Sequence, residues 1–386
     1  MQRPRLTRKH RNFAAAVTVG IFLGSLAFVV NRPADATDHA TSPASADLSE
    51  SADTATADSL EASTEGDGLA ADSAAVTDGD DVSTEESVDE TTTPAVPTSQ
   101  ARLRAGEDPA FAEQMGWPVD GPAALAGALL PSNRIVCYYG NPNSTRMGAL
   151  GEFPKDDMLG RLKAQIDEWE AADPATPVKP CLHMVAVVAQ GEPGTTGHYR
   201  SIMRDVDVQK VYDWAKEIDG AFIVDIQTGT DDLRNILPRF DWIMKNPDVH
   251  LGVDPEFMMK TGARPGTRIG TMDAADINYA TDHLARLVRE HDLPPKVLVI
   301  HRFTRNMVTN YRDIVLRPEV QIVMHMDGWG ASWLKRDSYR DYVVREPVQY
   351  TGFKLFYHND TKGGDPLMTP LDLLRLRPLP YYIQYQ

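Results

Sequence analysis

From about residue 106 onward the sequence predicts a TIM-type (β/α)8 barrel that lacks the last helix, on three observations. Eight short β-rich runs alternate with segments of helical period. One face of these runs is apolar, while the other turns polar toward the C-terminal end. Two carboxylates, Asp254 and Glu256, lie two residues apart where the fourth run meets a Gly/Pro-containing loop. That end of a barrel strand is where barrel enzymes carry their chemistry.

The strands are expected at residues 134–140, 182–190, 221–227, 250–256, 297–301, 320–327, 351–358 and 381–384. Between them apolar residues recur at helical spacing: Leu159, Leu162, Ile166 and Trp169, then Val208, Val211, Tyr212, Ala215 and Ile218. Leu233, Ile236, Leu237, Phe240 and Met244 repeat the pattern, as do Ile277, Leu284, Leu287 and Val288. Shorter helices are expected over 305–315 and 332–344. A last turn starts at Thr369-Pro370, with an N-cap threonine and proline at the first helical position. No eighth helix follows, and a short helix around 121–130 is expected to cover the barrel bottom. A doubly wound open sheet is the alternative architecture.

Charge divides the chain. Residues 1–32 carry six basic residues and no acidic one, residues 33–101 carry 17 acidic and no basic residue, and the remainder nets −5. Nearly all of the net −16 therefore sits before the barrel, and no basic field exists to release counterions from nucleic acid. Residues 1–36 read as a signal peptide or single-pass membrane anchor: a basic start, an uncharged apolar run over 13–30, then Ala34-Asp35-Ala36. Residues 37–105 read as a disordered acidic linker rich in Ala, Ser, Thr, Asp and Glu, too poor in apolar side chains to offset ordering entropy. Such a tether spans at least about 45 Å root-mean-square. Residues 106–386 form the barrel domain. If the apolar run is not cleaved, it anchors the chain in a membrane. Cys137 and Cys181, aligned by the ends of their strands, fall about 20 Å out of register, which predicts two unpaired, buried thiols.

Strand parity selects the interior. Phe222, Val224 and Ile226 oppose Asp225 and Gln227, and Ile322, Met324 and Met326 oppose Gln321, His325 and Asp327. Phe353, Leu355 and Tyr357 oppose Lys354 and His358, and Gln384 opposes Ile383 and Tyr385. The inward candidates at the mouth are Tyr138, Gln190, Asp225, Gln227, Asp254, Glu256, His301, His325, Asp327, Lys354 and Gln384. Loop residues Asn141, Asn143, Glu152, Trp329 and Trp333 lie in reach. Glycoside hydrolysis needs two carboxyl groups, one of them protonated. Repulsion between Asp254 and Glu256 raises one pKa. Glu256 is the expected acid, and Asp327 the base or nucleophile, with Asp225 second choice. Trp329 and Trp333 offer stacking surfaces to sugar rings. Tyr138, Asn141, Gln190, Gln227, His301, His325, Lys354 and Gln384 are expected to hold the substrate.

The D-x-E of Asp254 and Glu256, with Asp327 two strands later, resembles barrel muramidases and chitinase-like glycosidases. His250 and Gly252 stand where the chitinase signature has two further aspartates, so substrate-assisted hydrolysis is not implied. Tyr138-Tyr139-Gly140-Asn141-Pro142, Met147 to Glu152, Asp254-Pro255-Glu256-Phe257 and Gly352 to Tyr357 resemble a family of exported bacterial (β/α)-barrel proteins. The resemblances imply an extracytoplasmic protein, secreted or membrane-anchored, with a polysaccharide or peptidoglycan substrate; no cofactor is expected.

Two other classes remain open on the residues. His301, His325, Asp254 and Asp327 would suit a metal-dependent hydrolase, although no H-x-H or H-x-x-x-H pair is present. A glycan-binding module without turnover would use the same mouth. Neither a P-loop nor a G-x-S-x-G nucleophile elbow occurs.

Overall fold

A computed structural model describes residues 103–386. The expected signal or anchor and nearly all of the acidic linker lie outside the described residues. Among the described residues no helix is long and apolar enough to cross a membrane.

Eight parallel strands close into a barrel: β1 (Arg134–Gly140), β2 (Val178–Ala189), β3 (Ala221–Ile226), β4 (Val249–Val253), β5 (Lys296–Arg302), β6 (Val320–Met326), β7 (Tyr350–Leu355) and β8 (Tyr382–Tyr385). Each pairs with the next, and β1 pairs with both β2 and β8, which excludes the open sheet. Outward side chains of the strands pack under the helices in one continuous apolar layer. The barrel interior holds a separate cluster of Ile135, Cys137, Cys181, Ala221, Ile223, Val297, Val299 and Val323.

The helices follow from the apolar periodicity. α2 (Lys155–Ala172) buries Met158, Leu162, Ile166 and Trp169, and α3 (Asp205–Glu217) buries Val208, Val211 and Tyr212. α4 (Ala274–His291) starts at Asp273, whose side chain caps the first turn while Asp276 reaches back to the Asp273 amide. α5 (Ser332–Ser338) continues into a π-helical segment, Tyr339–Val344. The expected turn at Thr369 is the short helix Pro370–Leu373 with its capping box. In the 233–244 region Pro238, which has no N–H to donate, splits one helix into three short pieces: Leu233–Ile236, Leu237–Phe240 and Asp241–Met244.

Four expectations are corrected. Residues 305–315 form no α-helix: β-branched Val308–Thr309 pairs with Met272–Asp273, and Asn310 follows in the left-handed region at φ 55°. Residues 121–130 form no helix either, because Gly121, Pro122 and Gly127 interrupt any helical run. That segment instead drops Leu130 into the barrel bottom, where its amide donates to Gln321 Oε1 (3.1 Å) and its carbonyl accepts from Gln321 Nε2 (2.6 Å). A short helix, α1 (Pro109–Met115), precedes it.

The third correction is Cys137 and Cys181, which are disulfide-bonded and directly opposite in the β1–β2 register, with Cα atoms 4.2 Å apart. The stagger expected from strand ends is wrong because β2 is longer than its neighbours. It starts at Val178, and after a register shift between Val185 and Val187 it runs past the mouth, pairing antiparallel with Arg200–Ile202. Strand ends are therefore not aligned at the mouth, so counting back from them misplaced the cysteines. The fourth correction concerns β4, which stops at Val253. Pro255 cannot donate to the ladder, and Asp254 becomes the N-cap of the 3-10 turn Pro255–Phe257, accepting from the Glu256 amide at 3.3 Å. Asp254 and Glu256 are thus a capped turn at the strand end, not two residues on one strand face.

Candidate functional site

Odd-numbered residues of β1 face inward, with Ile135 and Cys137 in the interior cluster. Tyr139, not Tyr138, therefore reaches the mouth. Tyr138 points outward and packs edge-on against Tyr357 and Tyr385, its hydroxyl 3.0 Å from that of Tyr357. The Tyr-Tyr pair gave parity nothing to choose with. The inward cysteine settles it.

Above the apolar interior lies a buried polar cluster. β2 contributes His183, β3 Asp225, β5 His301, β6 His325 and the following Asp327, β7 Lys354, and β8 Tyr382 and Gln384. His301 and His325 are direct neighbours in the β5–β6 register, and Lys354 and Gln384 in β7–β8. Asp327 is held from two sides, by His301 Nδ1 at 2.7 Å and Lys354 Nζ at 2.8 Å. The Lys354 ammonium also sits 3.9 Å from the centre of the Tyr139 ring. The Tyr139 hydroxyl donates to Asp225 Oδ2 at 3.1 Å, and the Tyr382 hydroxyl lies 2.6 Å from His183 Nδ1. Gln384 Nε2 is 2.9 Å from both that nitrogen and the Tyr382 oxygen. Gln227 bridges to the rim: its Oε1 accepts from the Ala189 amide, and its Nε2 donates to Asp254 Oδ2 at 3.2 Å.

The carboxyl groups of this mouth differ sharply in acidity. Burial pushes Glu256 up to about 8, helped by the negative charges of Asp254 and Asp327. Burial likewise brings Asp254 to about 7, where the pull of His301 is countered by Asp225 and Asp327. Burial would raise Asp327 too, but Lys354 and His301 outweigh it and hold that carboxyl below its ordinary range. Asp225 is also lowered, its burial overcome by His301, His183 and the Tyr139 hydrogen bond. Burial drops His183 to about 4 and pushes His325 well down, so both imidazoles are neutral. His301 goes the other way, because Asp327 and Asp225 outweigh its burial.

Of the remaining expected residues, Asn141 is buried but fully engaged. Its Nδ2 donates to the Val185 carbonyl and its Oδ1 accepts from the Asn143 amide, both at 2.9 Å. Gln190 lies in the β2 overhang, its amide donating to the Tyr199 carbonyl at 2.9 Å. Trp329 and Trp333 are exposed beyond β6. His358 lies past the end of β7 and is exposed, 2.8 Å from Glu152 Oε1, so it does not share the inward face with Lys354. Arg302 is turned away from the mouth onto Glu346. The metal set of His301, His325, Asp254 and Asp327 is only partly assembled: His301, His325 and Asp327 come together, and Asp254 is not among them. Sequence reasoning missed His183, Tyr139 and Tyr382. For His183 a signal was present, since it alternates with Cys181 and Val185.

No family model matches this chain, and no curated protein matches it. Among solved structures it is similar to "Cellulase Cel5C_n", at 11% identity over 69% of this chain and 76% of that one, with a TM-score of 0.35. The barrel itself rests on the strand pairing described above.

Proposed function

We propose that this protein is an exported hydrolase of an envelope or extracellular glycan, with Glu256 as general acid and Asp327 as base or nucleophile. The observation that carries this reading is the opposite surroundings of two carboxyl groups within one mouth. Glu256, half-buried at the rim, keeps its proton near neutral pH, while Asp327, clamped by Lys354 and His301, stays ionised. Glycoside hydrolysis requires carboxyl groups in those opposite states. Asp254 and Gln227 support the Glu256 turn from below. Export and a membrane-proximal position are supported by the sequence of residues 1–36 alone.

The test is release of reducing ends from peptidoglycan and other envelope polysaccharides by the purified protein. On a substrate that is turned over, Glu256→Gln lowers the rate by about 10²–10⁴-fold and does not lower the melting temperature. Unaltered turnover removes Glu256 from the mechanism. One observation favours a second reading, a glycan-binding module: Lys354 occupies Asp327. Saturable glycan binding without reducing-end release selects that reading.

A further inference from the structure

In the middle of the barrel mouth, three side-chain atoms from three strands have no hydrogen-bond partner: His183 Nε2, Asp225 Oδ1 and His301 Nε2. All three side chains are fully buried. His183 Nε2 lies 3.6 Å and His301 Nε2 3.9 Å from Asp225 Oδ1, and all three atoms fall within 4.8 Å of one another. These distances are too long for hydrogen bonds. A buried polar atom left without a partner is costly, so three converging on one point call for a common partner.

We propose that His183, Asp225 and His301 form a binding site for one divalent transition-metal ion, held by two imidazole nitrogens and one carboxylate oxygen. Spacing supports it. Ligand atoms about 2.0–2.2 Å from a metal in tetrahedral array lie roughly 3.4 Å apart, close to the 3.6 and 3.9 Å that separate the two imidazole nitrogens from Asp225 Oδ1, and the third edge is within 4.8 Å. The donor set also supports it: two nitrogens and a single carboxylate suit zinc and its first-row neighbours, not magnesium or calcium, which take oxygen cages.

The shell behind the three ligands has the form that metal-ligating side chains require. His301 Nδ1 is fixed by Asp327 at 2.7 Å, His183 Nδ1 lies 2.6 Å from the Tyr382 hydroxyl, and Asp225 Oδ2 accepts from Tyr139 at 3.1 Å. In each case the other polar atom of the side chain is engaged and the unpaired one is aimed at the shared centre. Gly252 completes the cradle. A β-carbon there would lie 2.5 Å from His183 Nε2 and 2.6 Å from Asp225 Oδ1. Glycine within a strand weakens it and often marks close approach of a ligand. Three protein ligands leave at least one coordination position for water. His301, His325 and Asp327 make a poorer site, because His301 Nδ1 and Asp327 Oδ2 are already bonded to each other.

This inference goes beyond the glycan reading, since it stands on none of the Glu256 observations. The test is metal content of the full-length protein purified without chelator, followed by calorimetric titration of the chelator-stripped protein with Zn²⁺. One Zn²⁺ per chain is expected. Asp225→Asn and His301→Gln should weaken it by more than the roughly 10–100-fold that losing an outer partner costs, and Asp327→Asn by about that 10–100-fold. Co²⁺ should give visible ligand-field bands that Asp225→Asn removes. Wild-type protein that takes up neither Zn²⁺ nor Co²⁺ stoichiometrically overturns the site, whatever the folding of the variants. So does unchanged affinity in a folded Asp225→Asn protein. Glu256→Gln should bind Zn²⁺ as wild type does, so failure of the glycan reading and failure of the metal site are read separately.

Discussion

The two halves of the barrel interior are built on opposite terms. The lower half is a sealed apolar plug: Ile135, Ala221, Ile223, Val297, Val299 and Val323 surround the Cys137–Cys181 disulfide, and Leu130 closes the bottom. The mouth, a few residues further along the same strands, holds three histidines, two aspartates, a lysine and a glutamine at almost no exposure. Leaving aside Asp327, whose Oδ1 meets Lys354, five of those seven side chains carry at least one buried polar atom without a hydrogen-bond partner. A structure selected for stability alone would extend the plug upward, since buried unpaired polar groups cost free energy that apolar ones return. The lower half holds the cylinder closed, and the upper half gives up some of that stability to converging polar side chains.

The largest effect that would sharpen this contrast is the loss of turnover in Glu256→Gln without loss of stability. Its counterpart below is the disulfide. The Cys137→Ala/Cys181→Ala double variant opens a link spanning 44 residues, worth about 2–5 kcal/mol in a native protein. Guanidinium unfolding should show that loss while glycan turnover is retained. A variant of wild-type stability would mean that the plug does not depend on the link. Leu130→Ala removes the bottom seal and should cost about 2–5 kcal/mol by the same measurement. Loss of activity at unchanged stability would break the division between the halves.

Smaller effects should appear in the mouth. Burial pushes Glu256 from an ordinary 4.5 up to about 8. Between those values the native state binds more protons than the unfolded one, so stability falls as pH rises from about 4.5 to about 8. Glu256→Gln should flatten that slope in denaturant melts at stepped pH, and an unchanged slope would show that Glu256 is not the group titrating. The activity of the wild type should decline over the upper part of the same range as the acid loses its proton. Smallest is His325→Leu. Both ring nitrogens of His325 are buried and unpartnered, so an apolar replacement should raise stability by about 1 kcal/mol. A large loss instead would reveal a partner for His325.

Much of the architecture was legible in order along the chain. Eight runs, the amphipathic periods of α2, α3 and α4, and the inward parity of Asp225, His301, His325, Asp327, Lys354 and Gln384 follow from periods of 3.6 and 2, which local sequence carries directly. The errors have separate causes. Tyr138 for Tyr139 and the overlooked His183 turn on which face of a single strand points inward, whereas the cysteines judged out of reach depend on how β2 is staggered against β1. The overhanging end of β2 hid that stagger. Asp254 and Glu256 were placed at the right strand end but given strand geometry, although Pro255 between them already argued for a turn.

The sequence by itself determined which residues alternate, where helices start and which strand ends are polar, because those are properties of neighbours a few positions apart. Only the closed barrel decided that Cys137 meets Cys181, that Leu130 serves as the floor and that unpaired atoms of His183, Asp225 and His301 share one centre. Those contacts join residues up to 191 positions apart, and interstrand register, set by packing of the whole cylinder, brings them together.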